Sequence, residues 1–394
     1  MISMDKTQCT YCGACFQICP KHCISMEEDE DGFRYPVVND ELCIQCGRCN
    51  AVCPIEKAFK MPSITAYAAV NRKIHTMIEA SSGGIFGAIA TYILENGGVV
   101  YGCAFSDKLE AKHIRVDTMD KLPLLYGSKY VQSNIGDSYV SVKKDLEDER
   151  WVAFSGTPCQ VAGLISFLGK DYRKLLLIDI ICHGVPSQAY FDKYINWLER
   201  SERGRIQEYM FRSKNNHGWS LAGGYTVIKD NNRKVKKKLF YFDHYYYFYF
   251  LESSIYRECC YSCKYANLKR IGDFTLGDLW GAERLNLPLD IKNGCSVVLV
   301  NSDKGRSIID RLDISKASIS IAIATKYNEQ LNQPSKLHPD RCERLQEFRE
   351  NTGDELQRQF IDSNTMNRLK GKLKYLIPIS LAQSINKIRF KLSP

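Results

Sequence analysis

The chain has 394 residues, 44% hydrophobic and 25% charged, a balance that excludes wholesale disorder, a collagen and a coiled coil and leaves room for two or three domains. Its formal charge of +9, taken alone, points to nucleic acid or an anionic membrane surface. Seventeen cysteines are the less ordinary number. The chain is long, and Met1 to Thr10 has no basic segment followed by an apolar core. The cysteines therefore predict thiols or metal ligands in a reducing, cytoplasmic compartment rather than a secreted disulfide framework. The longest apolar run, Leu175 to Cys182, is too short to span a bilayer and is interrupted by Asp179.

Nine cysteines precede residue 54. Cys9, Cys12, Cys15 and Cys19 form C-x-x-C-x-x-C-x-x-x-C before Pro20, and Cys43, Cys46, Cys49 and Cys53 repeat the pattern before Pro54. This doubled run predicts two [4Fe–4S] clusters, because the fourth cysteine of each run ligates the other cluster. Cluster one then takes Cys9, Cys12, Cys15 and Cys53, and cluster two takes Cys43, Cys46, Cys49 and Cys19. Zinc fits eight thiolates in this spacing poorly. Ile24–Met26 and Phe33–Val38 read as strands around an acidic turn, Glu27 to Gly32, as in a bacterial-type ferredoxin module ending near Met61–Pro62. Cys23 is left over and reads as simply buried.

From Ile64 helices and strands alternate. Ser81-Ser82-Gly83-Gly84 precedes an apolar stretch, Ile85 to Leu94, where a helix N-terminus favours a phosphate; such a Gly-Gly is as readily structural. Strands follow over Val99–Phe105 and Lys112–Asp117, then a polar loop, Tyr126 to Ser133. In that loop Lys129 is either an anion-binding group or a solvated lysine. Trp151–Ser155, Cys159–Leu168 and Leu175–Ile181 form strand, helix and strand, with a further helix from about Ser187; the short crossover predicts two parallel strands. Cys159 and Cys182 then lie just beyond the carboxyl ends of those strands, where open sheets bind ligands. Cys260 and Cys263 supply a C-x-x-C pair, so these four thiols suit a third [4Fe–4S] cluster. Other readings stay open here: Cys159 and Cys182 as small buried residues, and the pair as a redox couple or half a zinc site. Cys259 competes with Cys260, which the repeated spacing favours. Cys103, Cys295 and Cys342 read as structural. His183 beside Cys182 is a candidate proton relay or a structural hydrogen bond. The aromatic run Phe240–Phe250 reads as core, and Lys234–Lys238 as a solvated hairpin edge.

Eight motifs now stand in order: Ser-Ser-Gly-Gly-Ile-Phe (81–86), Gly-Ser-Lys-Tyr-Val-Gln-Ser (127–133), Gly-Thr-Pro-Cys-Gln (156–160), Cys-His-Gly-Val-Pro-Ser (182–187), Phe-Arg-Ser-Lys (211–214), His-Gly-Trp (217–219), Cys-Tyr-Ser-Cys (260–263) and Gly-Asp-Leu-Trp-Gly (277–281). Together, over roughly residues 1–300, they resemble the coenzyme F420 hydrogenase/dehydrogenase β-subunit family. The resemblance implies FAD beside a [4Fe–4S] cluster, with a ferredoxin module attached. It favours Cys159, Cys182, Cys260 and Cys263 as cluster ligands and Ser82, Gly83, Gly84, Ser128 and Lys129 at the flavin; Lys129 and His183 are the catalytic candidates. It assigns no role to Asp278 and Trp280. The family includes deazaflavin-reducing subunits, chlorophyll-derivative reductases and bacterial members near surface-polysaccharide genes.

The predicted architecture is an α+β ferredoxin module, an α/β flavin- and iron–sulfur-binding body and a helical basic tail, divided at 1–62, 63–148, 149–315 and 316–394. The predicted function is an iron–sulfur flavoprotein oxidoreductase that relays electrons between a redox donor or acceptor protein and a two-electron small-molecule substrate. The alternative is a non-catalytic electron-transfer or docking subunit of a larger redox complex, linked to surface-polysaccharide biosynthesis. Charge is divided along the chain. Residues 1–62 hold six basic and nine acidic residues, while residues 363–394 hold seven basic and none acidic. With anionic clusters and a flavin nucleotide counted the holoprotein nears neutrality, which removes the argument for nucleic acid. Leu369, Leu373, Leu376, Ile377, Leu381, Ile385, Ile388 and Phe390 make the tail amphipathic, either a membrane-surface contact or a helix packed on the body with its lysines outward.

Overall fold

The computed structural model describes residues 5–57 and 64–376. The module end read at Met61–Pro62 and the tail beyond residue 376 lie outside them. In the ferredoxin module, helix α1 (Ala14–Ile18) is followed by strands β1 (Ile24–Glu28) and β2 (Arg34–Val38), paired antiparallel with Ile24 opposite Val38. Asp29 closes the acidic turn by accepting from the amides of Asp31 and Phe33. The cysteine repeat is also a backbone repeat: Tyr11 and Gln45 both have φ 53°, and Gly13 and Gly47 have φ 77° and 71°. Left-handed residues at matched positions turn each loop around its thiols.

The body is built on one mixed sheet of eight strands: β3 (Thr65–Asn71), β4 (Val99–Phe105), β5 (Ala111–Val116), β6 (Val152–Gly156), β7 (Leu175–Ile180), β11 (Phe274–Asp278), β12 (Ser296–Val300) and β13 (Ile314–Ile319). Their order is β13-β3-β12-β11-β7-β6-β4-β5. The central four are parallel and both flanks antiparallel. The sheet is covered on both faces, so its strands read as apolar runs. Val100, Ala153 and Leu176 pack under helix α2 (Ile85–Glu95). Val99, Val152, Phe154 and Leu175 pack under helix α3 (Pro158–Leu168). That second layer also takes in Ala14 and Val52, which seats the ferredoxin module on the α3 side.

Strands β8 (Gly204–Met210), β9 (Gly223–Lys229) and β10 (Lys234–Leu239) form a separate antiparallel sheet, with the lysine-rich β10 at its edge as read from sequence. Helices α4 (Gln188–Glu202) and α5 (Tyr245–Leu251) meet over it in an aromatic core, so of the run Phe240–Phe250 the part from Tyr245 to Phe250 is core. Two of the sequence boundaries do not divide the body. The 148/149 boundary separates β4 from its parallel partner β6, and the 315/316 boundary falls within β13. Phe348, Leu356 and Phe360 join the aromatic core, so residues well past 316 belong to the body. The final described helix, α6 (Thr365–Leu376), is the helical part of the tail.

Candidate functional site

Cys9, Cys12, Cys15 and Cys53 line one cavity, together with Cys49. These are the four thiols that the spacing assigns to cluster one. Burial pushes the Cys12 thiol well up and Cys15 up to about 12, and their sulfur neighbours push further. A buried set of mutually repelling thiolates is stable when a cation-rich group neutralises it, so this donor set fits a cluster. At the other end Cys19 and Cys43 pack together with Cys49 nearby, and Cys46 is exposed. Cys23 is not isolated: its sulfur lies 3.4 Å from that of Cys19. Among the described residues no three His, Cys, Asp or Glu side chains converge tightly enough to hold a single metal ion; the corners of an iron–sulfur cube spread their thiolates more widely.

The carboxyl edge of the central strands opens into a second cavity of about 670 Å³. Its lining comes from the ends of all four parallel strands: Cys103 from β4, Ser155 to Cys159 after β6, Ile180 to Gly184 after β7, and Asp278 and Trp280 at β11. Local sequence explains the placement of Cys159. Thr157 caps α3 in a reciprocal capping box with Gln160, and Pro158 takes the first turn. Cys159 is thereby fixed at the helix N-terminus, its sulfur 3.1 Å from the Thr157 hydroxyl. Cys182 follows β7, whose Asp179 is fully buried and paired with Arg270 at 2.5 Å. The Cys260–Cys263 loop closes the same cavity. Burial raises the Cys159 and Cys182 thiols, and each also feels Cys263. All four predicted thiols are therefore brought to one cavity. Cys259, set aside by spacing, lines it as well, and is an acid that both Cys159 and Cys263 feel.

The other wall carries the predicted flavin loops. Ser82, Gly84, Ser128 and Lys129 line the cavity; Gly83 does not. The Gly83 amide donates to Ser296 Oγ at 2.9 Å, and a Cβ there would lie 2.4 Å from the Ala69 carbonyl oxygen, so this glycine serves close packing on the sheet. Ser81 Oγ accepts from the Ser128 amide and ties the two loops together. Lys129 Nζ donates to the carbonyls of Leu124 and Tyr126, and burial pushes its pKa down to about 8. His183 also faces the cavity, and burial lowers its pKa. Asp278 acquires a structural account: it accepts from Arg212 at 2.5 Å and from Trp219 Nε1 at 2.8 Å. Trp219 stacks on Trp280 with centroids 5.2 Å apart. Lys214 Nζ reaches the Ser82 carbonyl at 2.5 Å. Thus the motifs at 81–86, 211–214, 217–219 and 277–281 hold one corner of the cavity.

The two cavities adjoin. A Cβ on Gly163, one turn after Cys159 on α3, would lie 2.9 Å from Cys12 Cβ and 3.1 Å from its sulfur. Tyr265 stands between them, feeling Cys159 and Cys263 on one side and Cys12 and Cys53 on the other. Gln17 accepts from the amides of Tyr139 and Val140 across the same seam.

Residues 149–354 match the family described as the C terminus of the coenzyme F420 hydrogenase/dehydrogenase beta subunit. The chain belongs to this family. Residues 8–57 match a 4Fe–4S dicluster domain, so iron–sulfur electron transfer is part of its chemistry. Among curated relatives, a coenzyme F420-dependent sulfite reductase from Methanocaldococcus jannaschii is 24% identical over 210 residues, covering 51% of this chain and 32% of that protein. The chain thus spans about a third of that relative's length. An uncharacterized ferredoxin of the same organism is 36% identical over 53 residues, 14% of this chain and 68% of the ferredoxin. A chain of the F420-reducing [NiFe] hydrogenase complex of Methanosarcina barkeri, solved as a xenon derivative, aligns over 79% of this chain and 93% of its own with a TM-score of 0.42 and 14% identity. This family of oxidoreductase subunits is the one the eight motifs resemble.

Sequence reasoning passed over Arg257 and Tyr265 and read Cys103 as structural, whereas Cys103, toward the carboxyl end of β4, lines the cavity. Arg257 and Tyr265 flank the C-x-x-C pair, but their role depends on what the ferredoxin module places against them.

Proposed function

We propose that this protein is an iron–sulfur flavoprotein oxidoreductase, with a third [4Fe–4S] cluster held by Cys159, Cys182, Cys260 and Cys263 and FAD in the large cavity. One observation carries the reading: a single cavity has these thiols on one wall and the α2 N-terminus with Lys129 on another, and the cluster-one ligand Cys12 packs on the helix that bears Cys159. An FAD bound there would join one-electron traffic to two-electron chemistry. The chain's own residues then have defined tasks. Gly84 and the first amides of α2, with Ser128 and Lys129, suit the anionic diphosphate; the Trp219–Trp280 stack and the Arg212–Asp278 pair stiffen the wall near His183. The cavity's volume falls within the range of cofactor sites, and its substrate is a small molecule that gains or loses two electrons.

Anaerobically purified protein should hold about twelve irons and one flavin per chain. Cys159→Ala or Cys182→Ala should remove about a third of the iron, and Cys259→Ala compared with Cys260→Ala decides the remaining ligand. Protein without flavin that also fails to take up FAD would leave only the electron-transfer subunit.

For the tail we infer contact with an anionic lipid surface. No helix among the described residues is long and apolar enough to cross a membrane. Helix α6 packs on the body through Gly371 and Tyr375 against Phe242, and Arg368 pairs with Asp243. Met366, Leu369, Leu373 and Leu376 form a separate exposed stripe at helical spacing, accompanied by Lys370, Lys372 and Lys374 and by no acidic residue. Co-sedimentation with anionic but not neutral vesicles, lost in Leu373→Glu, is the expected result.

A further inference from the structure

Three arginines are buried among the described residues: Arg212, Arg257 and Arg270. Two have a carboxylate, Asp278 for Arg212 and Asp179 for Arg270, each at 2.5 Å. The third, Arg257, is the most deeply buried, with no exposed surface at all, and among the described residues it forms no ion pair. Its hydrogen bonds go to neutral acceptors. Nε donates to the Cys9 carbonyl at 2.5 Å, Nη1 to Gln132 Oε1 at 3.2 Å and Nη2 to the Arg34 carbonyl at 2.9 Å. Its guanidinium lies over the Tyr35 ring, 4.1 Å from the centroid.

Neutral acceptors and a ring face satisfy the protons of a guanidinium without cancelling its charge, and a buried charge left uncancelled is strongly destabilising. Yet every contact just named holds the guanidinium charged and in place. The compensation must come from anions, and the acidic groups around Arg257 are thiols: Cys9 first, then Cys259 and Cys260, with the Tyr35 phenol. Cys9 is a ligand of cluster one. Cys259 and Cys260 adjoin the third site. When loaded, both sites are anionic, and among the described residues Arg257 is the buried arginine that the fold places between them without a carboxylate.

We propose that Arg257 is a shared counter-charge for cluster one and the third cluster, a positioning residue that raises the reduction potential of both and makes the ferredoxin seam depend on their presence. The part concerning the third cluster rests on the reading above; the part concerning cluster one does not. A fixed positive charge favours the form of the cluster that has gained an electron, and low local dielectric lets the effect act over the whole seam.

The test is a spectroscopic redox titration of intact, iron-loaded protein. Arg257→Gln keeps polar contact with the Cys9 carbonyl but removes the charge. It should make cluster one at least tenfold harder to reduce, a fall of about 59 mV for a one-electron couple, and Arg257→Lys, which keeps the charge, should restore the wild-type value. Unchanged potentials in Arg257→Gln at full iron content would overturn the proposal, as would an equal fall in the lysine variant. If Arg257→Gln does not retain its iron, Gln132→Glu places a carboxylate on Arg257 from outside the ligand set. It should lower the same potential, and no shift there sinks the idea. Iron content separates the two readings. About eight irons in the wild type removes the third cluster but leaves the cluster-one shift to be scored, whereas about twelve irons with no shift rejects Arg257 alone.

Discussion

The two cysteine repeats have the same spacing and the same left-handed backbone turns, yet they end in opposite surroundings. Around cluster one, Cys9 is 5% exposed, Cys12 packs on Gly163, and Arg257, Gln132 and Lys264 bond to the backbone beside the site. Around cluster two, Cys46 is exposed, and Leu42 and Ile44 stand 55% and 58% exposed in water. A sequence repeat therefore builds an asymmetric device. One end is insulated and joined to the body; the other is left open to solvent. Large exposed apolar side chains beside a redox centre are the kind of patch that marks an interaction surface.

The strongest way to break this comparison is at the insulated end. If Cys12 is a ligand of cluster one and the cavity holds a flavin, as proposed, Cys12→Ala should stop flavin reduction by a protein donor, whereas a small reductant such as dithionite should still bleach it. Stopped-flow absorbance under anaerobic conditions reads both. Continued delivery from the protein donor would mean that electrons bypass the seam. Gly163→Leu attacks the same end without replacing a ligand. Its side chain has no room beside Cys12, so overpacking should destabilise the protein by roughly 1–3 kcal/mol. Thermal unfolding of the loaded protein should show this.

Lys129 tests the far end of the path. Burial lowers its pKa to about 8, so in the free protein the ammonium is charged below that pH and neutral above it. An anionic ligand stabilises the charged form and raises the pKa in the complex. Binding therefore takes up a proton in the window above pH 8, and affinity falls as pH rises through it. Lys129→Gln should weaken FAD binding by roughly tenfold at neutral pH, the loss of one charged hydrogen bond, and flatten the pH dependence. Fluorescence titration of the apoprotein with FAD measures both effects, and an unchanged slope in the variant would remove Lys129 from the flavin site.

How much of this was legible from sequence differs between the same two regions. The ferredoxin module was readable because its predicted ligands are local: eight of the nine cysteines from Cys9 to Cys53, with strands β1 and β2 found close to their predicted places. The body was readable as strands and helices, since apolar runs and a capping box are also local signals, and the ends of β6 and β7 put Cys159 and Cys182 where parallel-sheet reasoning placed them. Gly83 stayed open between two readings because a glycine needed against a carbonyl and one needed against a ligand look alike in sequence. The boundary at 315/316 cuts a strand for a related reason. Ile314 of β13 pairs with Asn71 of β3, far back in the chain, and nothing local in either strand announces that pairing. Cys259 and Arg257 carry their meaning only through the seam, which no single segment contains.

The smallest expected effect sharpens the comparison at its open end. Leu42→Asp with Ile44→Asp alters two side chains that touch water, so stability should stay within about 0.5 kcal/mol and the iron content should not change. An apolar rim contributes to docking by losing water when the partner arrives, so the charged variant should raise KM for a protein donor severalfold and leave the rate of flavin bleaching by dithionite untouched. The same pair of changes would have little influence if donors met the molecule at the seam, because Leu42 and Ile44 are open to water whereas the seam is packed shut where Cys12 meets Gly163. A shift in KM without a shift in the small-molecule rate thus assigns electron intake to cluster two, and a shift in neither moves it elsewhere.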